Sequence, residues 1–349
     1  MTVYFIDPIH DSRWRELLDR HPDGSVFHSP AWLQALRNTY GYDCLALTTA
    51  APSEPLSDGL VACRVQSWLT GARIVSLPFA DHCEPLVDSI STLQVFINEL
   101  RRQYTQPAWR YIELRPINAL EALPGTAQSL SQSAAFCCHR LDLSPSLEDL
   151  YRAFHKSCIQ RKLERAAREG LVIEHGQSES LLLNLYRLLL ITRRRHQLPP
   201  QPLAWFRNLM ESFGAALNIW VASKSGQPVA AILTLASRNT VVYKYGCSDA
   251  AFHPLGAMPA LFWQAIQYAK ERNATCFDFG RSDLNNPGLI AFKDHWGASR
   301  STLHYYRDVA ASATRASGIS SSTFARHCVS TLPDFCLAAA GRLLYRHMG

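Results

Sequence analysis

Apolar and polar residues alternate along this chain with two periods, and the switches between them outline its elements. Val3–Asp7 has the two-residue period of a strand, and Ser12–His21 the three-to-four-residue period of a helix. A second helix opens at Ser29-Pro30, where serine can cap and proline suits the first helical position. Its apolar residues Trp32, Leu33, Leu36 and Tyr40 recur at helical spacing. Strands are predicted over Cys44–Thr49, Leu60–Leu69 and Ala72–Pro78, separated by the Pro/Ser-rich loop Ala51–Asp58 and a Thr70-Gly71 turn. A helix over Thr92–Tyr104 and strands over Trp109–Arg115 and Ala135–Leu143 complete the first half.

The second half opens with a strongly basic helix, Leu147–Glu169, stopped by Gly170. Leu147, Leu150, Tyr151, Phe154 and Cys158 form its apolar stripe. A strand over Leu171–His175 and helices over Ser180–His196 and Pro202–Phe213 follow. Three strands come next, Leu217–Ser223, Pro228–Ala236 and Thr240–Cys247, with turns at Lys224-Ser225-Gly226 and Ser237-Arg238-Asn239. A helix runs from Gly256 to Arg272. Thr275–Phe279 then reads as a strand that breaks at Gly280 into a polar loop, Arg281–Asn286. Pro287-Gly288 opens a short helix that Gly297 ends, and Ser301–Arg307 is the last strand.

Both halves have one order: strand, helix or helix pair, three hairpin-linked strands, helix, strand, short segment, strand. The repetition predicts two copies of one α/β domain with a mixed sheet, residues 1–145 and 146–310. Residues 311–349 read as an Ala/Ser/Thr linker and an amphipathic helix, Leu332–His347, with a basic end. Docking on the protein's own surface is its expected use, with peripheral membrane contact the alternative.

With 47% apolar and 18% charged residues in 349, the chain can bury ample core. A net charge of +6 suits an anionic ligand or a membrane surface and falls short of a nucleic-acid binder's basic footprint. No apolar run approaches the ~20 residues of a spanning helix, and Met1–Asp7 lacks the basic start of a signal peptide. Ten scattered cysteines without a CxxC pair read as reduced core thiols of a cytoplasmic protein, neither a disulfide framework nor a zinc site.

The candidate chemistry concentrates where the strand carrying Asp278 ends. Arg281 and Asp283 follow it, at the kind of sheet edge where ligands bind in open α/β sheets. Arg281 and Asp283 either contact substrate or pair with each other. Lys156 and Arg161, with Arg165, suit a phosphate-bearing acceptor or a solvated basic face. In the first half Asp81, His82 and Glu84 cluster after a strand. Carboxylate–imidazole hydrogen bonding explains them with fewer assumptions than a metal, and no metal is expected.

These residues resemble the FemAB-like, or CelD/BioF2-like, branch of the GNAT acyltransferases over nearly the whole chain. The segments that carry the resemblance are FHSPAWLQAL (27–36), LPFADHCEPL (77–86), KSCIQRKLERAAREGL (156–171), YKYGCSDAAFHPLGAMPALFWQAI (243–266) and FDFGRSDLNNPGLIAFKDHWGA (277–298). The resemblance implies two tandem GNAT-like (acyl-CoA N-acyltransferase-like) domains, each able to splay between its fourth and fifth strands around an extended donor. It also implies transfer of an acyl or aminoacyl group to an amine or hydroxyl of a cell-envelope or exopolysaccharide precursor, a small molecule or lipid-linked glycan.

Acyl-CoA is the expected donor and aminoacyl-tRNA the alternative; a non-catalytic glycan-binding scaffold is the rival from another class. Within that frame Asp278 is expected either to take the proton or orient the acceptor, or to cap the following loop backbone, and Lys293 is the expected partner of the oxyanion or a donor phosphate. Tyr243 and Asp81 are expected to line substrate, and Gly256 and Ala257 to meet the donor's pyrophosphate at the turn into a helix. That turn reads His253-Pro254-Leu255-Gly256-Ala257-Met258-Pro259. It lacks the leading Arg or Gln and the second small residue of CoA-binding relatives.

Overall fold

The computed structural model describes residues 1–104, 109–120, 130–309 and 333–349. The described chain forms two compact units, one of residues up to 136, 302–309 and 343–349, the other of residues 137–301 and 333–342. The chain crosses from the first unit to the second between Phe136 and Cys137, within a strand. The expected linker falls outside the described residues.

In the first unit, helix α1 (Ser12–Arg20) is capped by Asp11, and helix α2 (Pro30–Tyr40) by Ser29, whose Oγ accepts from the Trp32 N–H. Gly41, left-handed at φ 68°, ends α2, and the helix opens at Ser29-Pro30 as predicted. Strands β1 (Tyr4–Ile6), β2 (Asp43–Thr48), β3 (Leu60–Val65) and β4 (Ala72–Val75) pair antiparallel in sequence order. After helix α3 (Ile90–Gln103), strand β5 (Trp109–Leu114) joins β4 in parallel. Leu93, Phe96, Ile97 and Leu100 of α3 bury one face against Leu47, Ile74 and Ile112 of this sheet.

Register also corrects the cysteine reading. Cys44 of β2 lies opposite Cys63 of β3 with Cα atoms 4.2 Å apart, and a disulfide joins them. That spacing is typical of a close cross-strand pair, which nineteen residues of separation in sequence do not reveal.

Strand β6 (Ser131–Asp142) leads into the second unit. The single basic helix expected over Leu147–Glu169 is in fact broken. Helix α4 (Leu147–Ala153) stops at Phe154, whose backbone is extended. A wide turn, Lys156–Gln160, precedes helix α5 (Arg161–Arg168). The break is stabilised locally: Gln160 Nε2 donates to the carbonyls of Tyr151 (2.9 Å) and Phe154 (3.0 Å). The His155 Nδ1 accepts from the Cys158 N–H.

Strand β7 (Val172–Gly176), helices α6 (Glu179–Arg195) and α7 (Leu203–Phe213), and the meander β8 (Leu217–Lys224), β9 (Gln227–Ser237) and β10 (Thr240–Ser248) follow. Helix α8 (Ala257–Glu271), strand β11 (Cys276–Asp283), helix α9 (Pro287–Asp294) and strand β12 (Ser299–Val309) complete the order. β11 continues through Gly280, which takes φ 68° without ending it, so Arg281 and Asp283 belong to the strand and not to a loop. Phe154, Phe262, Phe277, Phe279 and Trp296 form the aromatic centre of this unit's core. The C-terminal helix is Asp334–Tyr345, shorter at both ends than its sequence pattern, and its Phe335 and Leu343 are exposed. No helix among the described residues is long and apolar enough to cross a membrane. The architecture is the expected mixed α/β one.

Candidate active site

In the second unit, β10 and β11 pair in parallel only over Thr240–Val242 opposite Cys276–Asp278. A bulge between Tyr243 and Tyr245 then turns β10 out of register with β9. Tyr243, the first residue past the pairing with β11, lines a cavity of about 260 Å³. Val229 and Ala230 of β9 and Ser248 of β10 share its wall. Phe252, His253, Ala257, Met258 and Phe262 face it from the turn after β10 and the start of α8. Leu289, Phe292 and Lys293 come from α9, and Lys162 from α5. The wall is thus mainly apolar, with an imidazole, two ammonium groups and the Asp249 carboxylate set into it.

Lys293 is the expected residue that the fold places best. It is 1% exposed, and its Nζ donates to the carbonyl oxygens of Gly280 (2.8 Å) and Arg281 (3.2 Å). Next to it, Asp294 Oδ1 bonds His139 Nε2 of β6 at 2.9 Å, which fastens the end of α9. Burial lowers the His139 pKa below 6.5 more than Asp294 raises it.

Asp278 goes elsewhere. It is fully buried, but it is not a lining residue of the cavity. Strand alternation sends Phe277 and Phe279 towards Phe262, on which they pack, and Asp278 to the opposite face. There its carboxylate accepts from the Gly280 N–H (2.7 Å) and pairs with Arg140 Nε (3.3 Å). Capping the following backbone is the contact this geometry shows.

The remaining expected residues divide. Ala257 lines the cavity and Gly256 does not. Gly256 is left-handed at φ 79°, and a Cβ there would collide with the Lys162 carbonyl oxygen, so glycine lets α5 pack on the turn. Asp283 caps the Asn285 N–H at 3.0 Å and, with Arg281, stands outside the cavity. Lys156 and Arg161 are exposed and also outside it, whereas Lys162, one residue on, reaches it. Asp81 lies in the first unit, where its carbonyl accepts from the Tyr305 hydroxyl at 2.6 Å. Its neighbour Glu84 accepts from the N–H groups of Ile117 (2.6 Å) and Asn118 (3.0 Å), a backbone pairing and not the expected imidazole one.

Sequence reasoning passed over Ser248 and His253. They meet across the short turn after β10, Ser248 Oγ to His253 Nε2 at 2.9 Å, both on the cavity wall. The Ser248 N–H in turn donates to Thr192 Oγ1 at 2.9 Å, which fixes the serine. Burial, and then the Arg195 guanidinium, lower the His253 pKa below its usual 6.5, so its imidazole is neutral at pH 7. The only signal in sequence was a serine and a histidine five apart across an Asp-led turn.

Residues 153–294 match the family model described as "Acetyltransferase (GNAT) domain". Over 149 residues the chain is 26% identical to the UDP-N-acetylmuramoylpentapeptide-lysine N(6)-alanyltransferase of Weissella viridescens. That match spans 42% of this chain and 43% of the relative, less than half the relative's length. Among solved structures, FemX superposes with a TM-score of 0.68 at 13% identity, over 89% of this chain and 98% of that one. A tandem GNAT protein from the clavulanic acid biosynthesis pathway gives a TM-score of 0.56 at 11% identity, over 90% of this chain and 100% of that one. The two structures share the fold, and the segment matched by the family model includes the residues that line the cavity. Residues 153–294 are thus similar to a GNAT acetyltransferase domain, and the chain resembles a Fem-type alanyltransferase in sequence and FemX in fold.

Proposed function

We propose that this enzyme moves an aminoacyl or acyl group from an ester-activated donor onto an amine or hydroxyl of a cell-envelope precursor. The observation that carries this reading is the cavity beside the β10–β11 pairing, with Lys293 buried in its wall. Attack on the donor carbonyl builds negative charge on oxygen. A fixed ammonium in a largely apolar wall favours that charge far more than water does. The attacking group must also lose a proton. Ser248 Oγ can take it while passing its own proton to His253 Nε2, with which it already shares a hydrogen bond.

The donor we favour is aminoacyl-tRNA over acyl-CoA, a shift from the expectation drawn from sequence. A CoA pyrophosphate needs free backbone N–H groups at the turn into α8. In this turn the N–H groups of Ala251, Phe252 and Gly256 donate to Asp249 and His253, and Pro254 and Pro259 have none, which narrows the donors at the start of α8 to Ala257 and Met258. The alanyltransferase relative supports an aminoacyl group. For the acceptor, a lipid-linked or nucleotide-linked glycan fits the same family reading. Contact with the membrane through the exposed apolar side of the C-terminal helix fits a lipid-linked one.

A thermal-shift titration with acetyl-CoA, a long-chain acyl-CoA and bulk charged tRNA tests the donor. A ligand at one hundred times its dissociation constant stabilises the fold by about 2.7 kcal/mol. A shift with charged tRNA alone supports the aminoacyl reading, and a shift with one acyl-CoA restores the CoA reading. Silence from all three, with no turnover by Lys293-intact protein, would return the scaffold reading.

A further inference from the structure

Beside the cavity, and outside everything assigned to it so far, the fold assembles His155, Cys158 and His295. One nitrogen of each imidazole and the Cys158 Sγ all lie within 4.8 Å of one another. The two imidazole rings are 4.4 Å apart between centroids and inclined at 53°. The backbone sets this up. The His155 N–H donates to the His295 carbonyl at 2.9 Å, tying the residue before the wide turn to the end of α9. The wide turn itself has the His155 carbonyl accepting from both Ile159 (2.9 Å) and Gln160 (3.3 Å), which carries Cys158 back over His155. Turns of this widened kind recur at functional sites.

We infer that His155, Cys158 and His295 form a binding site for a zinc-class divalent cation, with two imidazole nitrogens and one thiolate as ligands and a fourth position left to water. Borderline-soft N and S donors in a set of three select Zn²⁺ over the oxygen-seeking Ca²⁺ and Mg²⁺. A tetrahedral zinc holds such ligands about 3.5 Å apart. The three ligand atoms, within 4.8 Å of one another, must draw closer by side-chain adjustment to reach that spacing. Binding displaces one proton, from the thiol, and the sulfur electron pair it leaves becomes the Zn–S bond. If zinc takes Nε2 of His155, its Nδ1 carries the proton and must give up the Cys158 N–H from which it now accepts, turning to donate to Ser157 Oγ at 3.4 Å.

Competing uses are weaker. Among the described cysteines none stands opposite Cys158 for a disulfide, and the cluster is too open to be core packing, with His155 exposed and the other two half-buried. The consequence reaches the cavity. Lys162 follows Cys158 by four residues, and Lys293 precedes His295 by two, so one ion would lock together the two elements that bring the cavity its ammonium groups.

The test uses the full chain, stripped with a chelator, loaded with Zn²⁺ alone, dialysed and analysed for metal by mass spectrometry. About one equivalent is expected, with a rise in melting temperature. Loading with Co²⁺ instead should give a thiolate-to-cobalt charge-transfer band and the intense d–d bands of a tetrahedral site. Cys158→Ser and His295→Ala should each lose the bound metal, and Cys158→Ser also the charge-transfer band. Circular dichroism of the metal-free variants verifies that they fold, and Cys276→Ser serves as a cysteine variant that retains the metal. Retention of stoichiometric metal by Cys158→Ser, or failure of the parent chain to retain zinc after dialysis, would overturn the assignment. Neither readout involves turnover, so the result stands apart from the fate of the acyl-transfer reading.

Discussion

The Lys293 ammonium donates to the Gly280 carbonyl across 2.8 Å, so the residue at the cavity wall is held by the backbone of the strand whose pairing ends beside it. The grip fixes the charge where an oxyanion would form. Lys293→Met keeps the length and removes the charge. It leaves the Gly280 and Arg281 carbonyls without that donor, for an expected stability loss of about 1–3 kcal/mol. Turnover should fall about 100-fold or more, which steady-state kinetics on the folded variant would check. Asp278→Asn, on the opposite face of β11, should leave kcat within a few-fold. Equal losses in the two variants would remove the distinction drawn between them.

Gly256 and Gly41 are both left-handed, at φ 79° and 68°, but only Gly256 meets a neighbour, the Lys162 carbonyl. Gly41→Ala should therefore cost about 1 kcal/mol, for conformation alone. Gly256→Ala adds a collision with backbone that cannot rotate away, for about 2–4 kcal/mol in total. Denaturant melts of the two variants give the comparison directly. If both cost the same, α5 does not press on the turn.

The contrast between these residues explains what sequence could and could not convey. The start of α2 was readable to the residue because Ser29 and Pro30 act through local backbone geometry. The face of Asp278 was readable too, since alternation sets it against Phe277. Which face meets the cavity was not, because that depends on Phe262, sixteen residues earlier on another element. The wide turn after α4 escaped because a glutamine side chain replaces the helical hydrogen bonds, and no periodicity encodes that. Lys293 was found through the family resemblance, and spacing alone gave it no more claim than any helix lysine.

A neutral His253 makes a prediction about pH. If Ser248 passes a proton to its Nε2, the protonated imidazole is the inactive form. The group's pKa lies below 6.5, so kcat/KM should rise with pH through that lower value and be level by pH 7. His253→Gln should abolish the rising limb together with most of the rate, and Ser248→Ala should lower the rate while the fold persists. A pH–rate profile with the same limb in His253→Gln would assign the proton to another group.

In the first unit, His28 and Glu84 should tilt stability in opposite directions. His28 is fully buried. Its Nδ1 accepts from the Ser25 N–H and its Nε2 bonds the Glu84 carbonyl, and burial lowers its pKa to about 4. Below 6.5 the unfolded chain takes up a proton that the folded one refuses until about pH 4, so this group's contribution falls as pH drops through that window. The Glu84 carboxyl is pushed up by burial to about 7 from 4.5. The folded chain therefore keeps a proton that the unfolded one releases, and this contribution falls as pH rises from 4.5 to 7. Each shift corresponds to roughly 3 kcal/mol, so between pH 4.5 and 6.5 the two slopes nearly cancel. Glu84→Gln isolates one of them, because glutamine mimics the protonated acid and still accepts from Ile117 and Asn118. The variant should match the parent near pH 4 and exceed it by about 3 kcal/mol at pH 8, where the parent must hold a buried carboxylate. Urea titrations of both proteins across that range measure the difference. A gap that does not widen with pH would mean that Glu84 is already ionised in the folded chain at pH 5.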